Sequence, residues 1–222
     1  MNKQIDRMKI IKILTLIIGL TFLNCNHGNS KETTENEQAE KLQVGKNLKD
    51  KEEIQNLIRQ VLIWGDSKSN SDLFPAQSDS KDSLYIGVDL SLHVANIDKM
   101  IATNYFSPAF IENYNQIVKT LDKKLKNKKN GVWYVGEMPP FNFVSGVNPW
   151  CLCQDHLNWE SVVVDVIELN SDKGELKWKW GDVEPGYYQS WKEFEYKFRV
   201  VKEDDKWKVS YLQGFDFDEI IN

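Results

Sequence analysis

The sequence predicts an α+β domain in which N-terminal helices pack on a curved antiparallel sheet. Three observations predict it: apolar residues recur at helical spacing through the first half of the chain, the period changes to two after Gly131, and turn residues divide the second half into short alternating strands. A chain of 222 residues is long enough for one well-buried core and short for two.

The first helix starts after Asn47, which can cap it, and carries Ile54, Leu57, Ile58, Val61 and Leu62 on one stripe before Gly65 stops it. Asp50 and Glu52 sit in its first turn, where carboxylates oppose the positive end of the helix dipole. The stretch 66–83 reads as a Ser/Asp/Asn-rich loop. Its carboxylates at Asp66, Asp72, Asp79 and Asp82 do not follow the spacing of an EF-hand. A shorter helix is expected near Leu92–Thr103, with Val94, Ile97, Met100 and Ile101 facing inward and His93 in its first turn. Ser107-Pro108 opens a long third helix, a cap followed by proline at the first helical position, and Asn130-Gly131 closes it. Lysines at 119, 123, 124, 126, 128 and 129 crowd its end, where cations oppose the dipole and where an anionic partner could also dock.

Residues 131–136 and 159–169 read as strands, the second rich in Val and Ile. Asn170–Gly174 turns the chain, and Leu176, Trp178 and Trp180 then alternate with Lys177 and Lys179. Phe194, Tyr196 and Phe198 alternate in the same way, Glu203–Lys206 forms a hairpin turn, and Trp207, Val209 and Tyr211 complete the last strand. Alternation of this kind gives each strand one buried face and one wet face.

The N-terminus has a different character. Met1–Lys12 is basic and leads into the apolar run Ile13–Leu23, a charged segment followed by a hydrophobic one that is short for a membrane span. Phe22-Leu23-Asn24-Cys25 resembles a bacterial lipobox, in which the cysteine becomes the acylated first residue of the mature chain. It departs from the usual pattern in having Phe22 three positions before the cysteine and Asn24 just before it. No small-x-small cleavage site competes with it. The resemblance implies a signal peptide over 1–24, lipidation at Cys25, export, and a bilayer as partner through the acyl chains. Residues 25–47 hold almost nothing to bury and read as a disordered tether, on the order of 25 Å in reach, ahead of a single domain at 48–222.

Removing the first 24 residues, with their four basic groups and one acidic group, leaves 24 basic and 32 acidic side chains, a net charge near −8. Phosphate backbones need a basic surface, so nucleic acid is not an expected partner.

The chemistry-bearing stretch is the long connection 137–158, which holds Trp150, Cys151, Cys153, Asp155 and His156. Three readings of Cys151-Leu152-Cys153 stand side by side. They are a disulfide, a metal site recruiting His156, and two reduced cysteines packed as small apolar groups. Trp150, His156, Trp178 and Trp180 are the candidate ligand-binding side chains. No nucleophile elbow, phosphate loop or HExxH helix is present, no catalytic residue is assigned, and no cofactor is expected. Asp165, set among valines, is the one carboxylate that a small-molecule enzyme could use.

Two further segments carry a resemblance. Tyr105-Phe106-Ser107-Pro108-Ala109-Phe110-Ile111 ahead of a long helix, and Glu195–Val201 followed by Lys206-Trp207-Lys208-Val209, resemble a family of bacterial lipoproteins of unknown function. Their domains are similar to nuclear transport factor two, a cone of curved sheet around helices. Spanning roughly 48–217, the resemblance implies that fold and a concave pocket, and it brings no catalytic residues. A non-catalytic envelope lipoprotein is therefore expected, binding a protein or small ligand through the concave sheet face or the 137–158 loop. A small-molecule enzyme using a buried carboxylate in the cone is the alternative.

Overall fold

The computed structural model describes residues 30–222 except 71, 82, 130 and 187, with side chains from residue 45 onward apart from that of residue 69. The expected signal peptide and Cys25 lie outside the described residues. Contacts divide the chain into residues 1–40 and a compact unit, 41–222, and the account below concerns the second.

The fold is α+β, with helices packed on an antiparallel sheet. In chain order its elements are α1 (Ser30–Asp66), β1 (Ala76–Ser78), β2 (Tyr85–Val88), α2 (Leu90–Thr103), α3 (Pro108–Lys126), β3 (Val162–Leu169), β4 (Lys173–Trp180), α4 (Gln189–Glu193), β5 (Tyr196–Glu203), β6 (Lys206–Leu212) and α5 (Phe217–Ile221). The strands β3-β4-β5-β6 form a four-stranded meander, and β1-β2 forms a separate hairpin.

Helix α1 begins at Ser30, ahead of the Asn47 cap that the sequence suggests. Residues 45–49 are exposed, and the buried stripe starts with Asp50 and Ile54.

One face of the meander carries Val162, Val164, Leu176, Trp178, Trp180, Tyr196, Phe198, Val200, Trp207 and Val209, all buried. It closes against Ile54, Ile58, Val61 and Leu62 of α1 and Phe110, Tyr114, Ile117, Val118 and Leu121 of α3 in one continuous core. Both sheet edges are capped in part. Arg59 donates Nε to the Val162 carbonyl at 2.9 Å, and Val164 donates its amide to Gln55 Oε1 at 3.0 Å, so α1 side chains occupy the outer edge of β3. At the other edge Ser107 donates to the Val209 carbonyl and Val209 donates to that of Tyr105, a short parallel graft onto β6.

Three local expectations need correction. Residues 131–136 form no strand; Gly131 and Gly136 take φ of 92° and 90°, and the segment meets the hairpin through the isolated bridge of Tyr134 to Leu84 and the ring of Trp133 on Tyr85. The hairpin β1-β2 instead arises within and just beyond the loop expected at 66–83. In α2, His93 and Met100 turn inward, while Val94 and Ile101 are more than half exposed.

Candidate functional site

Trp178 and Trp180 point into the core rather than into an open cone, at 0% and 4% exposure. They stand edge to face, with ring centres 5.2 Å apart, and continue into Trp159 on one side and Tyr196 on the other. Neither indole N–H has a hydrogen-bond partner. Aromatic faces, which accept weakly, surround them.

The 137–158 connection is pinned into the same core. Trp150 is buried among Trp64, Phe106, Phe110 and Phe215. A Cβ added at Gly65 of α1 would lie 2.5 Å from the Trp150 ring, so only glycine leaves the indole room. Next to it, the buried Tyr196 hydroxyl donates to the Pro149 carbonyl at 2.9 Å and accepts the Gly214 amide at 2.8 Å. A Cβ at Gly214 would stand 2.0 Å from that same carbonyl oxygen. Burial pushes the Tyr196 hydroxyl well above its ordinary value, with the Gly214 hydrogen bond opposing. Cys151 and Cys153 are joined by a disulfide, with Cys151 buried and Leu152 between them at φ 51°. With both sulfurs in the bridge, neither offers a thiolate to a metal.

His156 lies at the surface end of the loop. Its ring stacks on Trp159 at 4.2 Å, and Nε2 sits 3.2 Å from Asp66 Oδ2, an oxygen that also accepts the Trp159 indole N–H at 3.3 Å. Among the described residues no three His, Cys, Asp or Glu side chains converge as a metal site would require, and no helix is long and apolar enough to cross a membrane.

Asp165 is not a buried acid. It lies on the outward face of β3, half exposed, with Lys179 Nζ 2.6 Å from Oδ2. The Lys179 hydrogen bond holds its carboxyl below the ordinary value against a smaller opposing effect of desolvation. The carboxylate that is buried, Asp50 at 4% exposure, accepts Lys202 Nζ and Trp207 Nε1, both at 2.9 Å. Sequence reasoning placed Asp50 only as a first-turn acid. Nothing in the local pattern could announce partners more than 150 residues away.

What remains open is the other face of the sheet. A trough of about 500 Å³ crosses all four strands there, from Glu168 and Lys173 at the β3-β4 end to Ser107, Ala109 and Ser210 beside β6. Gly174 and Val201 supply apolar lining. Arg199 lies within it, donating Nε to Glu175 Oε2 at 3.3 Å and stacking its guanidinium 4.7 Å above the Tyr211 ring. Glu203 is paired with Lys208 at 3.0 Å. The trough therefore presents an oriented guanidinium beside carboxylates over an apolar lining. That arrangement can hold a ligand carrying both charges.

No protein-family model, no curated protein and no solved structure matches this chain.

Proposed function

We propose that this chain is an exported lipoprotein, acylated at Cys25, whose domain has the architecture of nuclear transport factor two and serves as a non-catalytic binding module. The observation that carries the binding role is the outward trough: helices and tryptophans fill the inner sheet face, so a ligand is left the face lined by Arg199, Glu175 and Val201. The ligand class that fits is an extended peptide segment or small molecule bearing both charges, seated against Val201 with an acidic group at Arg199. The basic and apolar N-terminal segments ending at Cys25 support the anchor.

A photo-crosslinking residue placed at Val201 in the native envelope tests the binding role. Adducts that vanish with Arg199→Glu, and that are absent when the probe sits at exposed Tyr188, are expected. Equal labelling from both probes, or labelling indifferent to Arg199→Glu, would remove the trough from consideration. The anchor has its own test. Cys25→Ser is expected to release the protein from membranes or stall its processing, and unchanged partition with unchanged gel mobility counts against acylation.

A further inference from the structure

We propose that the α2–α3 face, together with the segment after α3, rests on an anionic lipid bilayer, as a contact of the domain itself beyond any acyl anchor. On α2, Leu90, Val94, Ile97 and Ile101 recur at i, i+4, i+7 and i+11 and form one stripe. Leu90, Val94 and Ile101 are each more than half exposed while Ile97 packs partly against the core, so most of the stripe is apolar surface left in water, and the adjacent flank, His93 and Met100, is buried. Isolated exposed apolar residues are ordinary, but three on one helical stripe are not.

The stripe adjoins lysines. His93 Nε2 meets Asn115 Oδ1 at 3.1 Å, and Ile101 shares a recess with Ile111 and Glu112, which sets α2 antiparallel beside α3 with the stripe toward its Ile111–Glu112 side. Along α3 the exposed positions run from Glu112 to Lys119, Lys123 and Lys126, one helical row in which Lys126 is paired with Asp122 at 2.7 Å. At the end of that row Lys126 and Lys128 line a recess with Ile86 and Val132, and Val132 and Tyr134 are exposed again. Apolar side chains thus flank a lysine row on one side of a domain whose overall charge is acidic.

Charge complementarity selects the occupant. An anionic membrane surface attracts each nearby lysine by about 1 kcal/mol and takes up the apolar side chains between its headgroups. A second copy of this chain would bring its own lysine row against the first across a two-fold axis, which repels. The proposal shares the envelope setting of the lipoprotein reading, but its test does not use the anchor.

Full-length protein carrying Cys25→Ser, so that no acyl group holds it, is mixed with vesicles of phosphatidylcholine, with or without phosphatidylglycerol. Amide hydrogen exchange is read across the chain. Residues 86–101 and 119–135 are expected to gain protection on the anionic vesicles only, and the gain should shrink as salt rises. Lys119→Glu/Lys123→Glu/Lys128→Glu is expected to weaken vesicle binding about tenfold or more. Val94→Ser/Ile101→Ser is expected to weaken it with less salt dependence. All five positions are exposed, and circular dichroism checks that the fold is kept. Equal protection on neutral and anionic vesicles, or a lysine-reversed protein that binds like its parent, would overturn the proposal. So would a face that binds neither vesicle, the result an acidic protein partner would give. None of these results bears on acylation, which the cell fractionation of Cys25→Ser decides separately.

Discussion

Trp207 donates its indole N–H to Asp50 Oδ1 at 2.9 Å, joining the last strand to the first helix through a carboxylate that Lys202 also reaches at 2.9 Å. Burial alone would raise the Asp50 carboxyl, but the hydrogen bonds from Lys202 and Trp207 and the lysine charge hold it below its ordinary value. Removing one member of such a group leaves the others buried and unpaired. Asp50→Ala is expected to cost about 3 kcal/mol, the low end for a broken buried pair because Lys202 retains some access to water. The double variant Asp50→Ala/Lys202→Met should recover part of that loss. Urea melts of the two variants check this, and a double variant no more stable than the single one would show that the pair is not coupled.

Acid should unfold the domain in two stages. Burial lowers the affinity of His93 for a proton, aided by the Lys119 charge and opposed by the Asn115 hydrogen bond, and its Nδ1 has no partner in the core. A depressed histidine contributes stability above its unfolded value, near 6.5, and loses it as pH falls from there. Asp50, also depressed, contributes above its unfolded value near 3.9 and loses its share only as pH drops further, toward its folded value. The melting temperature should thus begin to fall below about pH 6.5. His93→Gln should flatten that first decline and leave the second intact. An unchanged slope between about pH 6.5 and 5 in His93→Gln would assign the decline to other groups.

Much of this architecture was legible in the sequence, and where it was not the reason is physical. The meander could be read because alternation persists through Trp178, Trp180, Tyr196, Phe198 and Trp207, with lysines between them facing water. Alternation fails at Tyr211, which turns outward to donate to Asp216, because β6 carries an extra residue at Ser210 opposite the Arg199–Val200 step. The hairpin was missed because Ala76-Gln77-Ser78 has no strand propensity and is held by pairing with β2. The facing of α2 was misread because Leu90, Val94 and Ile101 lie on one flank and His93 and Met100 on another, so apolarity alone could not choose. The trough was out of reach for a similar reason. Glu175 and Arg199 lie 24 residues apart in the chain, and only the β4-β5 register, which sets them opposite each other, brings them together.

The loop that carries Trp150 should depend more on Tyr196 than on its own disulfide. Tyr196→Phe strands both the Pro149 carbonyl and the Gly214 amide, and about 1–3 kcal/mol is expected for buried groups left without their partner. The Cys151–Cys153 bridge closes a very short loop, so chain entropy credits it with only about 1–2 kcal/mol. Denaturant midpoints of Tyr196→Phe and Cys151→Ser/Cys153→Ser should therefore rank in that order, and the reverse ranking would make the bridge the principal fastener. Thiol titration of denatured, unreduced protein adds a check. Cys151 and Cys153 should stay unreactive until a reductant is supplied.

Asp165 stands on the outward face of β3, whereas Asp50 of α1 is buried against Trp207 of β6, so variants at the two ends of this contrast are expected to behave differently. Asp165 is half exposed and shares the wet face with Lys179, an arrangement worth at most about 1 kcal/mol once solvent screening is counted. Asp165→Asn is thus expected to leave the melting temperature within a few degrees of the parent, and to leave crosslinking from the Val201 probe unaltered. Trp207→Ala, by contrast, empties a buried indole site and strips Asp50 of a donor, so about 3–5 kcal/mol is expected. Thermal melts of both variants, run beside the crosslinking assay, read out stability and binding separately. A folded Asp165→Asn protein that lost a measurable turnover would shift the assignment to catalysis, because a half-exposed carboxylate matters that much only where it touches a reacting group. A folded protein with unchanged binding would keep Asp165 as a surface ion pair and leave the ligand contacts to Arg199 and its neighbours.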